Sequence, residues 1–185
     1  MSNPFDKRKD MKKKLVVTVC NGNIHRSVLA QICLCRELTA LHREKDVEII
    51  SRGLQGTMGT DIPIFPHINQ YDNYAITEPC LREIGITIPE DQSTIPIDQS
   101  TVEHASLILA MDSNVLCGQS NSLHNQFPSY VFKMMLFSEL VGMKTDVFDL
   151  HGSFDVTLHR KVTQEINDTS RRGIAVLLRL LESIP

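Results

Sequence analysis

The chain has 185 residues, of which 42% are hydrophobic and 22% are charged, and its net charge is −3. This length and composition predict one globular domain with a core of its own, and the slight negative charge argues against a nucleic-acid-binding protein. No apolar run reaches the roughly 20 residues of a membrane-spanning helix, so stable membrane insertion is not expected.

The first 14 residues are polar and rich in Lys and Arg. We expect a flexible basic tail there, followed by a single domain that covers 15–185. The tail contains no apolar segment of the kind that a signal peptide requires. The five cysteines have no framework spacing, which favours a reducing compartment and therefore a cytoplasmic protein.

The first predicted strand covers 15–19. It is apolar on both faces except at Thr18, as is typical of a central strand in a parallel sheet. A short loop follows, which opens with Cys20 and leads through Arg26 into a helical pattern over 27–41. The sequence therefore predicts a strand, a thiol-containing loop and a helix N-terminus in succession.

The loop between this strand and this helix has the composition of an oxyanion-binding site. Backbone N–H groups at a helix N-terminus lack partners within the helix, and the helix dipole favours negative charge there. Gly22 and Asn23 allow backbone conformations that other residues avoid, and Arg26 supplies a planar fork for two oxygens. We expect phosphate to bind to the loop residues Asn21, Gly22, Asn23, Ile24, His25 and Arg26.

Cys20 would lie beneath a phosphate bound in this loop. An ordinary cysteine is mostly protonated at pH 7, but a helix N-terminus and a neighbouring Arg stabilise the thiolate. Ser27 could donate a hydrogen bond to the sulfur. Attack by Cys20 on phosphorus is therefore the predicted chemistry. The alternative is a buried cysteine at a strand end beside a solvated Arg26.

The rest of the chain alternates between strand and helix patterns, which indicates a parallel α/β sheet. Predicted strands cover 47–51, 106–112 and 130–136, and predicted helices cover 74–84, 98–104 and 155–182. Pro79 suggests that the first of these helices begins nearer that residue, and Thr169 and Gly173 suggest a kink in the last. Asp112 ends a strand, where a role as helix cap is favoured over catalysis.

The connection over 54–73 is long for a segment without a regular pattern, and such loops are often functional. A pocket entrance could be lined by Phe65, His67 and Tyr71 of this connection and by Tyr74 at the start of the next predicted helix. The alternative is an exposed excursion with no part in the chemistry.

Residues 20–27 read Cys-Asn-Gly-Asn-Ile-His-Arg-Ser and resemble the signature loop of the low-molecular-weight protein tyrosine phosphatases. The family motif is Cys-x-Gly-Asn-x-x-Arg-Ser, and it also follows a first strand. The chain departs from the family at His25, where a second cysteine is frequent, and at Val28, where proline is common. The resemblance extends from about residue 14 to the end, except for 54–73, which is an elaborated loop outside it. It implies a three-layer α/β/α sandwich around a four-stranded parallel sheet.

The resemblance also implies a phosphatase that acts through a cysteinyl-phosphate intermediate on phosphomonoesters, with phosphotyrosine in proteins as the expected substrate. Cys20 would attack, Arg26 would hold the transferring group, and Ser27 with Asn23 would support the thiolate. The expected partners are a phosphorylated protein or a small phosphomonoester, with phosphate or another oxyanion in the loop. No metal or other cofactor is expected, because the loop supplies the positive field.

The departing oxygen needs a proton. In the family an Asp supplies it from an Asp-Pro-aromatic loop before the last helix, and the matching segment here offers Asp149. Leu150 replaces the usual proline and His151 the usual aromatic ring, which predicts a more mobile loop and a weaker aryl preference. Asp146 and Asp155 are the alternatives, although Asp155 is better explained as the cap of the last helix.

Three other functions fit parts of this pattern. Arsenate reductases share the fold but need further reactive cysteines, and His25 removes the nearest candidate. A phosphate-binding module with little turnover would explain the altered acid segment. Cysteine-phosphorylated subunits of the sugar phosphotransferase system are more distant, because their loops do not need Arg26.

Overall fold

The computed structural model describes residues 13–65 and 67–184, so most of the predicted basic tail lies outside the described residues. Four strands form one sheet: β1 (Lys14–Cys20), β2 (Val47–Gly53), β3 (Ala105–Ala110) and β4 (Met134–Leu136). The strand order is β2-β1-β3-β4 and every pairing is parallel. The predicted four-stranded parallel sheet is confirmed.

Helices cover both faces of this sheet. They are α1 (Arg26–Ala40), α2 (Tyr74–Glu83), α3 (Gln99–His104), α4 (Leu123–Gln126) and α5 (Val156–Glu182). A π-helical turn covers Asn114–Gly118, and 3₁₀ turns cover Ile68–Gln70, Pro128–Lys133 and Phe137–Val141. Within the described part of the chain, no helix combines the length and apolar character that crossing a membrane requires.

Alternate residues of β1 contribute to two hydrophobic clusters, as the period of two in a strand demands. Val16 packs with the buried faces of α1, α2 and α5, while Val17 packs with those of α3 and α4. The central strand is therefore buried on both sides, which explains its unbroken apolar sequence. This arrangement confirms the predicted three-layer sandwich.

The fourth strand is shorter than the predicted 130–136. Only Met134 to Leu136 pair with β3, opposite Ile108 to Ala110. The preceding residues form a 3₁₀ turn because Pro128 stands at its first position, where the fixed φ angle of proline favours a helical turn. The prediction was wrong for 130–133.

Helix α2 starts at Tyr74, not nearer Pro79 as expected. The proline removes the hydrogen bond to the carbonyl of Ala75. Both residues lie on the exposed side of the helix, so water can satisfy that carbonyl. The helix therefore tolerates the proline in its interior.

The last helix is a single α-helix of 27 residues that continues through Thr169 and Gly173. Gly173 serves close packing instead. A Cβ atom placed on Gly173 would lie 2.6 Å from the Cβ of Leu140, in the 3₁₀ turn after β4. The glycine thus lets the helix approach that turn closely.

Candidate active site

The carboxyl ends of β1, β2 and β3 meet at one edge of the sheet, and the loop from Cys20 to Ser27 lies there. Gly53, at the end of β2, permits this loop to close against the strand. A Cβ on Gly53 would stand 3.0 Å from the carbonyl oxygen of Asn21 and from the backbone nitrogen of Asn23. The loop therefore leads from β1 directly into the N-terminus of α1.

The thiol of Cys20 is buried and faces two hydrogen-bonding groups. The backbone N–H of Asn23 donates to its Sγ atom at 3.2 Å, and the hydroxyl of Ser27 lies 3.0 Å from it. Both groups can donate to a thiolate, which only accepts. The predicted support of the sulfur by Ser27 and Asn23 has a geometric basis here.

The unusual backbone conformation of the loop falls on Asn23, with a φ of 55°. Gly22 does not take a positive φ, but an added Cβ there would lie 3.0 Å from the side-chain oxygen of Gln55. Both polar atoms of the Asn23 side chain are hydrogen-bonded: Nδ2 donates to the Ser27 Oγ at 3.1 Å, and Oδ1 accepts from the N–H of Ile95 at 2.9 Å. These bonds hold the left-handed residue in place.

The Arg26 side chain is 4% exposed, and its hydrogen-bond partners among the described residues are oxygen atoms. Its Nη1 donates to Asp112 Oδ2 at 2.5 Å and to the carbonyl of Val147 at 2.9 Å, while its Nη2 donates to Asp149 Oδ2 at 2.6 Å. Burial by itself lowers the pKa of Arg26, but the charges of Cys20, Asp149 and Asp112 outweigh it and raise the pKa above the usual value. The guanidinium is a fixed positive charge in the site.

Asp112 has a role that the sequence did not reveal. As expected, it caps the following turn, where its Oδ1 accepts from the N–H of Val115 at 2.7 Å. Its other oxygen accepts from Arg26. The only sequence signal for this contact was the position of Asp112 at the carboxyl end of a strand, where open α/β sheets bind ligands.

The structure separates the three candidate acids. Asp149 lines the same pocket as Cys20 and is 53% exposed. Asp146 accepts instead from the backbone N–H and the hydroxyl of Ser113, both at 2.8 Å. Asp155 caps α5 by accepting from the N–H groups of Thr157 and Leu158. Of the three, only Asp149 lines the pocket that contains Cys20.

The pocket above the thiol has a volume of about 400 Å³. Phe65 and Tyr71 line it as predicted, whereas His67 and Tyr74 are not among its lining residues. Phe65 and Tyr71 meet edge to face at 5.6 Å, and Tyr71 meets His151 in the same way at 5.8 Å. An aromatic row thus runs from the long connection to the loop that carries Asp149.

No protein-family model matches this sequence, and no curated protein matches it. Solved structures do. A low-molecular-weight protein tyrosine phosphatase from T. tengcongensis aligns with a TM-score of 0.69 and 26% identity, over 89% of this chain and 99% of that one. The chain therefore has the fold of the low-molecular-weight protein tyrosine phosphatases, and its loop from Cys20 to Ser27 resembles their signature loop.

Two further structures show the same fold. The YwlE arginine phosphatase, as a mutant with a phosphorylated active site serine, aligns with a TM-score of 0.69 and 20% identity, over 90% of this chain and 99% of that one. A protein tyrosine phosphatase from Entamoeba histolytica, with Hepes in its active site, aligns with a TM-score of 0.67 and 18% identity, over 90% of this chain and 98% of that one.

His25 stands where the phosphatase family often has a second cysteine. Both of its ring nitrogens are buried and have no hydrogen-bond partner among the described residues. Burial is the main cause that lowers the pKa of His25 from 6.5 to about 4, and the neighbouring His159 and Arg26 lower it further. The negative charge of Asp149 acts in the opposite direction. The imidazole is therefore neutral at physiological pH and adds no positive charge to the loop.

Proposed function

We propose that the chain is a phosphatase that hydrolyses phosphomonoesters through a cysteinyl-phosphate intermediate, with phosphotyrosine in proteins as its substrate. One observation carries this proposal: a buried Cys20 sulfur with two hydrogen-bond donors shares a pocket with Arg26 and Asp149. The known phosphatases that share the fold support it.

In the first step the Cys20 thiolate attacks phosphorus, so that an S–P bond forms and the P–O bond to the substrate breaks. Asp149, as the carboxylic acid, gives its proton to the departing oxygen. In the second step water attacks phosphorus and the S–P bond breaks. The Asp149 carboxylate takes a proton from that water, and inorganic phosphate and the thiolate are released.

The contacts of Arg26 suit this sequence of steps. Its Nη1 donates to Asp112 and to the carbonyl of Val147, while the hydrogen-bond partner of Nη2 among the described residues is the half-exposed Asp149. A bound phosphoryl group would compete with Asp149 for Nη2 and so release the carboxyl toward the leaving oxygen. The fixed guanidinium would then stabilise the charge on the phosphoryl oxygens.

The walls of the pocket favour an aromatic leaving group. Ile24, Phe65 and Tyr71 line it, and desolvation, followed by the charges of Asp149 and Cys20, raises the pKa of Tyr71. The Tyr71 ring therefore lies within the electrostatic reach of both reacting groups. This aromatic row offers the wall that His151 alone would provide poorly.

The cysteines argue for hydrolysis over arsenate reduction. Among the described residues that line the pocket, Cys20 is the only cysteine. Burial raises the pKa of Cys33 to about 12, which makes that thiol a poor nucleophile. The thiolate chemistry requires a reduced Cys20, in keeping with the cytoplasmic location that we propose.

The experiment is hydrolysis of para-nitrophenyl phosphate by the wild type and by Cys20→Ser, with and without vanadate. We expect activity that vanadate inhibits and that the serine variant lacks. Peptides with phosphotyrosine, phosphoserine or phosphoarginine then test the substrate, with phosphotyrosine hydrolysed fastest. Phosphate binding without turnover would instead identify a binding module, and faster hydrolysis of phosphoarginine would contradict the proposed substrate.

A further inference from the structure

The acid loop, residues 148–154, carries Asp149 but lacks the proline of the family pattern, since Leu150 follows the aspartate. The loop contains no helix or strand, so its conformation depends on other contacts. Two bonds lie within the loop: the N–H of Ser153 donates to the carbonyl of Leu150 at 3.0 Å, and the N–H of His151 donates to Asp149 Oδ1 at 3.1 Å. Side chains outside the loop donate to its carbonyls as well.

Asn73 contacts both ends of this turn. Its Nδ2 donates to the carbonyl of Leu150 at 3.0 Å and to that of Ser153 at 3.2 Å. The side chain is 8% exposed, so water competes little for these carbonyls. The amide thus joins the end of the long connection to the acid loop.

Asn73 occupies a position where its side chain would be expected to bond to its own helix. It is the N-cap residue of α2, where an Asn side chain ordinarily accepts a hydrogen bond from the first turn and so stabilises the helix. No such bond is made by its side chain here. The side chain serves the acid loop and not its own helix.

His159 of α5 supports the same loop from below. Its ring is fully buried, and its Nε2 lies 2.9 Å from the carbonyl of Ser153, which can only accept. Nε2 therefore carries a proton, and the hydroxyl of Thr77 fixes the other ring nitrogen at 2.8 Å. Two helices thus hold one carbonyl of the acid loop.

We propose that Asn73 and His159 are positioning residues that hold the acid loop, in place of the missing proline, with Asp149 directed at the substrate bound over Cys20. The inference rests on the proposed function, because positioning matters only if Asp149 acts as the acid. It gives the C-terminal end of the 54–73 connection a role in the chemistry.

The experiment compares Asn73→Ala and Asn73→Leu with the wild type on two substrates, para-nitrophenyl phosphate and phenyl phosphate. Phenolate is a more basic leaving group than para-nitrophenolate, so hydrolysis of phenyl phosphate depends more on a correctly positioned acid. We expect kcat/KM for phenyl phosphate to fall about tenfold and that for para-nitrophenyl phosphate less than about threefold. Inhibition by inorganic phosphate should not change, because the loop of Cys20 is untouched.

Asn167→Ala is the matched control. Asn167 is 9% exposed and accepts from Arg36 at 2.6 Å, and it lies about two turns further along α5 than His159. Its removal should leave the ratio of the two rates unchanged. An equal loss on both substrates in the Asn73 variants, or no loss, would overturn the proposal.

Hydrogen exchange gives a readout that does not depend on turnover. In Asn73→Ala and in His159→Gln, the amides of His151 and Ser153 should exchange faster, while those of α1 stay protected. Faster exchange together with an inactive wild type would refute the proposed function, but the proposal that Asn73 and His159 hold the acid loop would stand. Unchanged exchange would refute the proposal that these two residues hold the loop.

Discussion

Asp149 takes part in two interactions at the scale of single residues. It pairs with Arg26 through one carboxylate oxygen, and its other oxygen accepts from the N–H of His151 at 3.1 Å. The second bond restrains the side chain, while the first is open to competition from a bound oxyanion. This arrangement suits a group that must turn toward the substrate.

Replacing Asp149 with Asn preserves the shape of the side chain and removes the proton. Since general acid catalysis contributes about 10²–10⁴-fold, kcat/KM for phenyl phosphate should fall by about 100-fold or more. Steady-state rates measure this change. Asp146→Asn is the control, because Asp146 is bound to Ser113, and equal rates for both variants would contradict the assignment.

His25 predicts how stability depends on pH. Its pKa is about 4 in the folded chain and 6.5 in the unfolded chain, so between these pH values the unfolded chain binds more protons than the folded chain. The stability that depends on a neutral His25 is therefore present above pH 6.5 and is lost as the pH falls toward 4. From pH 7 to pH 5 the free energy of unfolding should fall by about 2 kcal/mol from this residue alone.

Urea titrations of the wild type and His25→Leu at both pH values measure this difference. The variant should lose less stability than the wild type between pH 7 and pH 5. The neighbouring charges of His159, Arg26 and Asp149 are the same in both proteins. Identical losses in the two proteins would show that His25 is not the titrating group.

At the scale of elements, packing overrides local preference in α5. Glycine in a helix interior is less favourable than alanine by about 1 kcal/mol, so Gly173→Ala would ordinarily stabilise the helix. Here the added Cβ would meet Leu140 at 2.6 Å. The free energy of unfolding should therefore decrease, by about 1–3 kcal/mol as for overpacked cores, and urea titration measures it.

The exposed Arg172 gives a control on the same helix. Arg172→Ala adds no atoms to the interface with Leu140 and should change stability by less than about 0.5 kcal/mol. An increase in stability for Gly173→Ala would mean that the turn after β4 can move away from the helix. The close approach would then not be required for the fold.

At the scale of the whole molecule, the candidate site joins segments that are distant in the chain. Arg26 contacts Asp112 after β3 and Asp149 in the acid loop. An oxyanion bound in the loop from Cys20 to Ser27 would add contacts to the same guanidinium. Phosphate at 100 times its dissociation constant should therefore stabilise the folded chain by about 2.7 kcal/mol. The thermal unfolding midpoint should rise with phosphate concentration in the wild type and not in Arg26→Ala.

Sequence alone determined the loop and most of the elements, apart from the start of α2 and the extent of β4. The strands β1 and β3 are largely apolar runs and the helices have apolar residues at helical spacing, so each pattern appears within a few neighbouring residues. The loop from Cys20 to Ser27 is equally local, because its thiol, its left-handed Asn23 and its helix N-terminus follow one another. These features could be predicted without knowing which strands are neighbours.

Only the tertiary structure decided which distant groups meet at the loop. Asp112 lies 86 residues from Arg26, and Leu150 lies 77 residues from Asn73. No local pattern encodes such contacts, since they arise when the order β2-β1-β3-β4 brings the strand ends to one edge. The same edge gathers Cys20, Arg26 and Asp149 into one pocket, because parallel strands end side by side.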